Sequence, residues 1–344
     1  MDRTFVYLTA LPLTILMVYG LFRIAVPFGY VDKPDGRKLH KKITPRVGGL
    51  GMALVFLLLL AVSEWQQFGS IFMPYVALIF VVLAGVLDDL FQWGPTKKFI
   101  AQAIFVGLAV LTHQLEIKDL GPLLGQDSLI LYSFWPVIFT TVCVVGTINA
   151  INMIDGLDGL AGLLVIVYLV FFGWMGALSD NHFVVHASIL TGLAVSGFLL
   201  FNFPGAPLAR KWKTFMGDAG SSLLGFILAW IAISLASAPG PHTPPPMILV
   251  WVIALPLMDM SSVMLMRSIK KRNTTLPDNL HIHFTLKSRG LSDQQILLVL
   301  GLTSVATGFF ALTSIHLGIK ESYLFYLFLV TNGLFFLGTR SLRK

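Results

Sequence analysis

Charge is scarce in this chain. Only 12% of its 344 residues are Asp, Glu, Lys or Arg, about half the ~25% usual in soluble domains. Hydrophobic residues make up 56% and the mean hydropathy is +0.81, which excludes an ordinary water-soluble domain. Cysteine is nearly absent: the single one, Cys143, lies in an apolar run, and one cysteine cannot make an intramolecular disulfide. The sequence shows no internal repeat and no low-complexity tract beyond the prolines at 239–246, which suit a stiff connector. Residues 1–26 lack an Ala-x-Ala cleavage site and their apolar run is too long for a secretory leader, so they read as a first membrane span. The formal charge of +7 needs no nucleic-acid partner. Loop sidedness and attraction to anionic membrane lipid account for it.

Apolar runs are abundant. They fall at about 5–26, 47–63, 71–87, 99–113, 131–150, 160–178, 183–201, 219–238, 246–266, 295–316 and 323–339. The expected fold is an all-α polytopic membrane protein of about eleven transmembrane helices, short ones included, forming one integral-membrane domain over 1–344. The breaks alternate in charge. Those at 27–46, 88–98, 202–218 and 267–294, with the tail 340–344, hold twenty Lys and Arg, against Arg3, Lys118 and Lys320 on the other side. That bias puts the N-terminus outside and the C-terminus in the cytoplasm. The break at 151–159 carries no Lys or Arg, yet the alternation places it in the cytoplasm as well.

The acidic residues that remain are concentrated on that face. Residues 149–159 place Asn149, Asn152, Asp155 and Asp158 at three-residue steps, a row on one side of a helix end, with a glycine after each aspartate. An ionised Asp at the centre of a membrane helix costs about 2.5–3.5 kcal/mol, so the pair belongs at a water-facing end that holds a cation. Interhelical hydrogen bonding would explain one of the asparagines but not the whole row. Asp88-Asp89 closes the third run, and adjacent carboxylates favour a shared proton or a bound cation. Asp218 opens the eighth, where it either caps the helix or binds Mg²⁺ while Gly220, Ser221 and Ser222 offer donors to phosphate. His281 and His283 have no Cys or further His near enough for a zinc site. The basic residues around them (Arg267, Lys270, Lys271, Arg272) point to phosphate instead. The loop from Val31 to Gly49 is basic and glycine-closed, and either signals topology alone or also neutralises phosphates.

Taken in order, Val31-Asp-Lys-Pro34, Asp88-Asp89, Asn149 to Gly159, Phe215 to Ser221, Pro256-Leu-Met-Asp259 and His281-Ile-His283 resemble the polyprenyl-phosphate N-acetylhexosamine-1-phosphate transferase family. The similarity runs from Val31 to about Arg289, three quarters of the chain. It is strongest to the bacterial members that join N-acetylglucosamine-1-phosphate to undecaprenyl phosphate, the initiating step of O-antigen synthesis at the inner membrane. The resemblance implies a UDP-sugar donor, a polyprenyl-phosphate acceptor, Mg²⁺ or Mn²⁺ as cofactor and UMP as product. It also implies site roles. Asp88 and Asp89 serve lipid-phosphate activation or metal organisation, Asp218 binds the metal, and Asn149, Asn152, Asp155 and Asp158 line the nucleotide-sugar site. Phe215 and Asn202 contact the uridine, and Lys41 or Lys42 and Lys97 or Lys98 supply positive charge. Asp278 joins the substrate-binding set, and His281 and His283 the catalytic one. Where the family often continues with a further histidine, this chain has Phe284, so weight falls on His281 and His283. No long insertion follows Asp278, which favours a simple amino-sugar donor over a muramyl-pentapeptide. The expected reaction is phosphoryl transfer by direct attack of the lipid phosphate, ranked above a covalent aspartyl-phosphate intermediate. The rival class, a secondary transporter, would place its acids near the bilayer midplane in symmetric halves.

Overall fold

The structure, a computed structural model, describes residues 3–32, 43–238, 243–270 and 280–343. The helices are α1 (Arg3–Ala25), α2 (Gly48–Ser63), α3 (Phe68–Phe91), α4 (Pro95–Leu111), α5 (Trp135–Ile154), α6 (Leu160–Leu178), α7 (His182–Asn202) and α8 (Ala209–Trp212). They continue with α9 (Gly217–Ala236), α10 (Pro246–Val252), α11 (Ala254–Ile269), α12 (Ile282–Ser288), α13 (Asp293–His316) and α14 (Glu321–Leu342). Among the described residues the only strands are β1 (Val31–Asp32) and β2 (Thr44–Pro45), which pair antiparallel. The chain is an all-α polytopic membrane protein.

Each of the eleven apolar runs is helical, but not each is a full span. Eight helices are long and apolar enough to cross a membrane, or nine if α10 and α11, bent by 81°, count together. The difference from eleven lies in two short helices. At ~1.5 Å per residue, the 16 residues of α2 reach ~24 Å, short of a ~30 Å hydrocarbon core. The 17 residues of α4 begin at Pro95 and include Lys97 and Lys98.

Helix α9 is the hub, buried along most of its length and packed by α2, α3 and α5. Small residues allow this. A Cβ on Gly85 of α3 would lie 2.7 Å from the Ala219 backbone, and one on Gly49 of α2 would overlap Gly220. A Cβ on Gly225 of α9 would sit 2.5 Å from Ile148 Cα in α5. Backbone-to-backbone packing of this kind is how membrane helices associate where lipid removes the hydrophobic drive. It brings the C-terminal ends of α3 and α5 against the N-terminal end of α9. The start of α2 completes the arrangement: Phe215 N donates to Pro45 O (2.8 Å), while Gly48 N and Gly49 N donate to Phe215 O (3.0 Å) and Met216 O (2.9 Å).

Candidate active site

These helix ends enclose a cavity of about 560 Å³, within the ~300–1,000 Å³ range of ligand pockets. Six aspartates (32, 89, 155, 158, 218 and 293) line it, against three cationic side chains, Arg46, Lys213 and Lys287. Asp89 comes from the last turn of α3. Its Oδ1 accepts from Arg46 Nη1 (3.2 Å), and its Oδ2 accepts from Tyr30 OH (3.3 Å) and Ala219 N (3.3 Å). Arg46 also donates from Nη2 to Asp32 Oδ1 at 2.6 Å, tying the β1–β2 hairpin to α3. Burial, followed by the Asp89 charge, pushes the Tyr30 hydroxyl well above its ordinary pKa, so it remains a donor.

Asp218 sits in the first turn of α9, beyond Gly217, whose φ of 69° suits glycine. Asn152 Nδ2 donates to Asp218 Oδ1 (2.5 Å) and to Ser221 Oγ (2.8 Å). Lys98 lies buried between the helix ends, its Nζ 3.0 Å from Asp218 Oδ1 and 3.6 Å from Asp88 Oδ2. Of the two lysines expected to carry charge, Lys98 is therefore committed to the carboxylates, and Lys97 is exposed outside the cavity lining.

The helical row expected at 149–158 does not form. Helix α5 ends at Ile154, and Asp155 is its cap. Residues 156–159 turn into α6 through Gly159 at φ 78°. Asp155 and Asp158 both reach the cavity, from a loop rather than from successive turns of a helix. Asn149 faces elsewhere, donating to Gln102 Oε1 (3.2 Å) and Val145 O (2.7 Å). Asn202, expected at the uridine, reaches the cavity wall but spends its carboxamide on the backbone: Oδ1 accepts from Gly159 N (2.7 Å) and Nδ2 donates to Thr214 O (2.9 Å). Asp158 is ion-paired with Lys213, whose Nζ also stands 5.1 Å from the Phe215 ring centre. Asp155 makes no hydrogen bond among the described residues. Burial, then the charges of Asp218, Asp158 and Asp89, push its carboxyl up to about 7.

The histidines depart most from expectation. His281 Nδ1 bonds Asp259 Oδ2 at 2.7 Å, and neither His281 nor His283 lines the cavity. His283 is buried, with neither ring nitrogen hydrogen-bonded, and a Cβ on Gly156 would strike its Nε2. Burial lowers its pKa to about 4, so it is neutral at neutral pH. Phe284, which the histidines were expected to outweigh, is the residue of that segment that faces the cavity, with Lys287. Lys41, Lys42 and Asp278 lie outside the described residues.

Sequence reasoning did not single out Arg46, Tyr30, Lys213 or Lys287. Each basic one belongs to a break already marked as positive, but charge sign alone cannot say which member turns inward.

The donor set suits a hard divalent cation. Mg²⁺ takes oxygen ligands and usually one or two carboxylates, completed by waters and substrate phosphates. Asp218 and Asp155, the latter without a hydrogen bond among the described residues, supply such oxygens. Among the described residues no three acidic or His side chains form a closed protein cage, and Mg²⁺ does not require one.

Residues 71–236 match glycosyl transferase family 4. The undecaprenyl-phosphate alpha-N-acetylglucosaminyl 1-phosphate transferase of Haemophilus influenzae is 37% identical over 282 residues, covering 80% of this chain and 77% of that protein. This chain belongs to the family. Proteins of the same description from Pasteurella multocida (36% over 284 residues, 80% of this chain and 76% of that protein) and Escherichia coli K12 (29% over 295 residues, 85% and 78%) extend the likeness. The family match covers α3 to α9, so Asp89, Asn152, Asp155, Asp158 and Asp218 all fall within it.

Proposed function

We propose that the chain transfers N-acetylglucosamine-1-phosphate from UDP-N-acetylglucosamine to undecaprenyl phosphate, releasing UMP, and so initiates O-antigen synthesis. The observation that carries this reading is the delivery of carboxylates from α3, the 155–159 loop and α9 to one cavity, in a chain 37% identical to a transferase of that description. Every one of these groups stands at a helix end, which supports a surface reaction over a transport path at mid-membrane. The excess of Lys and Arg in the breaks at these helix ends supports a cytoplasmic face.

Asp218, with Asp155, would hold Mg²⁺, Mn²⁺ being the alternative, and the ion would neutralise pyrophosphate charge. Arg46, Lys213 and Lys287 pair with cavity aspartates and remain placed to meet phosphate oxygens. Asn152 fixes the rotamer of Asp218. Phe215 offers an aromatic face to the uridine. A phosphate monoester has a second pKa near ~6 and is mostly dianionic at neutral pH, so the lipid phosphate can attack the sugar-bearing phosphorus without a general base. The P–O bond to UMP breaks as the new one forms, and positioning supplies most of the catalysis. Purified protein with undecaprenyl phosphate, Mg²⁺ and a panel of UDP-sugars should release UMP with UDP-N-acetylglucosamine. Release only with another UDP-sugar, or with none, would overturn the reading.

A further inference from the structure

Helix α12 has seven residues, too few to be stable alone, yet it brings Phe284 and Lys287 to the cavity. Its first turn is held from α11. Asp259, 1% exposed, accepts from Ile282 N on Oδ1 (2.8 Å) and from His281 Nδ1 on Oδ2 (2.7 Å). One bond would leave α12 free to turn about it, whereas two on adjacent residues fix its rotation. The fixed turn then propagates through ring contacts. His281 lies parallel to His283 at 6.0 Å, and His283 packs on Phe284 at 4.2 Å. On its other side His283 presses Nε2 against Gly156, in the loop that carries Asp155 and Asp158.

We propose that Asp259, outside the cavity, is a positioning residue for the transfer reaction: by holding His281 and the start of α12 it sets where Phe284 and Lys287 stand and what backs the 155–159 loop. The proposal rests on the transfer reading of the cavity. A carboxylate inside a membrane bundle is costly, and α12 already packs on α13 and α14. What the two-pronged acceptor adds is a single orientation.

The test compares wild type, Asp259→Asn, Asp259→Ala and Ser262→Ala. Ser262 is a buried polar residue of the same helix that bonds Thr339 of α14 rather than α12. Kinetics are measured by UMP release. Maleimide labelling of a Phe284→Cys background in which Cys143 is replaced by Ala reports the position of α12 without turnover. Asp259→Asn should lower kcat/KM for the UDP-sugar by about 10- to 100-fold, the range for a misplacement of up to ~1 Å in groups that meet the substrate. The KM for polyprenyl phosphate should stay within about twofold, and labelling at position 284 should change at least about threefold. Asp259→Ala should lose more, and Ser262→Ala should change neither kinetics nor labelling, even where it lowers the melting temperature. Asp259→Asn with wild-type kcat/KM and labelling would overturn the proposal, as would equal losses toward both substrates matching Ser262→Ala. Absence of UMP release from wild type would defeat the transfer reading, while the labelling arm would still decide whether Asp259 places α12.

Discussion

Gly85 offers the sharpest test of how the bundle sets the site. An added Cβ there would lie 2.7 Å from Ala219 Cα, Ala219 N and the Asp218 carbonyl carbon. All three are backbone atoms and cannot rotate away. Carbon contacts settle near ~3.5 Å, so Gly85→Ala must separate α3 from α9 by roughly 0.8 Å. Asp88 and Asp89 follow at three and four residues, on the same face, and move with α3. The bond from Ala219 N to Asp89 Oδ2, already 3.3 Å, is lost. A misplacement of ~1 Å costs about 100-fold in rate, so a fall in kcat of roughly 10- to 100-fold is expected. Overpacking costs ~1–3 kcal/mol, offset in part by the ~1 kcal/mol that Ala gains over Gly inside a helix, so melting should move little. Gly146→Ala in α5 is the control, because its Cβ would meet nothing within 4 Å. UMP release from the two variants in detergent decides the matter. Gly85→Ala within twofold of wild type would refute the argument that helix contact sets the site.

Chelation by EDTA should stop UMP release reversibly, with Mg²⁺ or Mn²⁺ restoring it in wild type and in neither case in Asp218→Asn; turnover by the variant would remove Asp218 from its role. Arg46→Gln leaves Asp89, whose side chain is 1% exposed, without its cation. Breaking such a pair costs ~3 kcal/mol, at the low end because Arg46 itself is partly exposed, and a lysine cannot restore a fork to two carboxylates. A melting temperature unchanged in Arg46→Gln would contradict this. His283 titrates near 4 when folded against about 6.5 when unfolded, so the unfolded chain binds more protons between those values. Its contribution to stability, up to ~3 kcal/mol, is complete above about pH 6.5 and falls away as pH drops toward 4. Melting at pH 7.5 and 5.0 should therefore diverge more in wild type than in His283→Phe, and equal divergence would refute the assignment.

The sequence by itself determined the class of the protein and where its helices lie, because a run of apolar side chains has one stable solution in lipid, an internally hydrogen-bonded helix. It also placed the acidic pairs at run ends, and Asp89, Asn152, Asp155, Asp158 and Asp218 meet at one cavity, whereas Asp88, expected beside Asp89, stands outside its lining against Lys98. Only the tertiary structure decided their partners. Asn152 meets Asp218 across 66 residues and Arg46 meets Asp89 across 43, and no local period encodes such pairs. The same holds for the exchange between Phe284 and the two histidines. Which side of a seven-residue helix faces the cavity depends on Asp259 of α11 anchoring its first turn, a long-range hydrogen bond that helical periodicity cannot show.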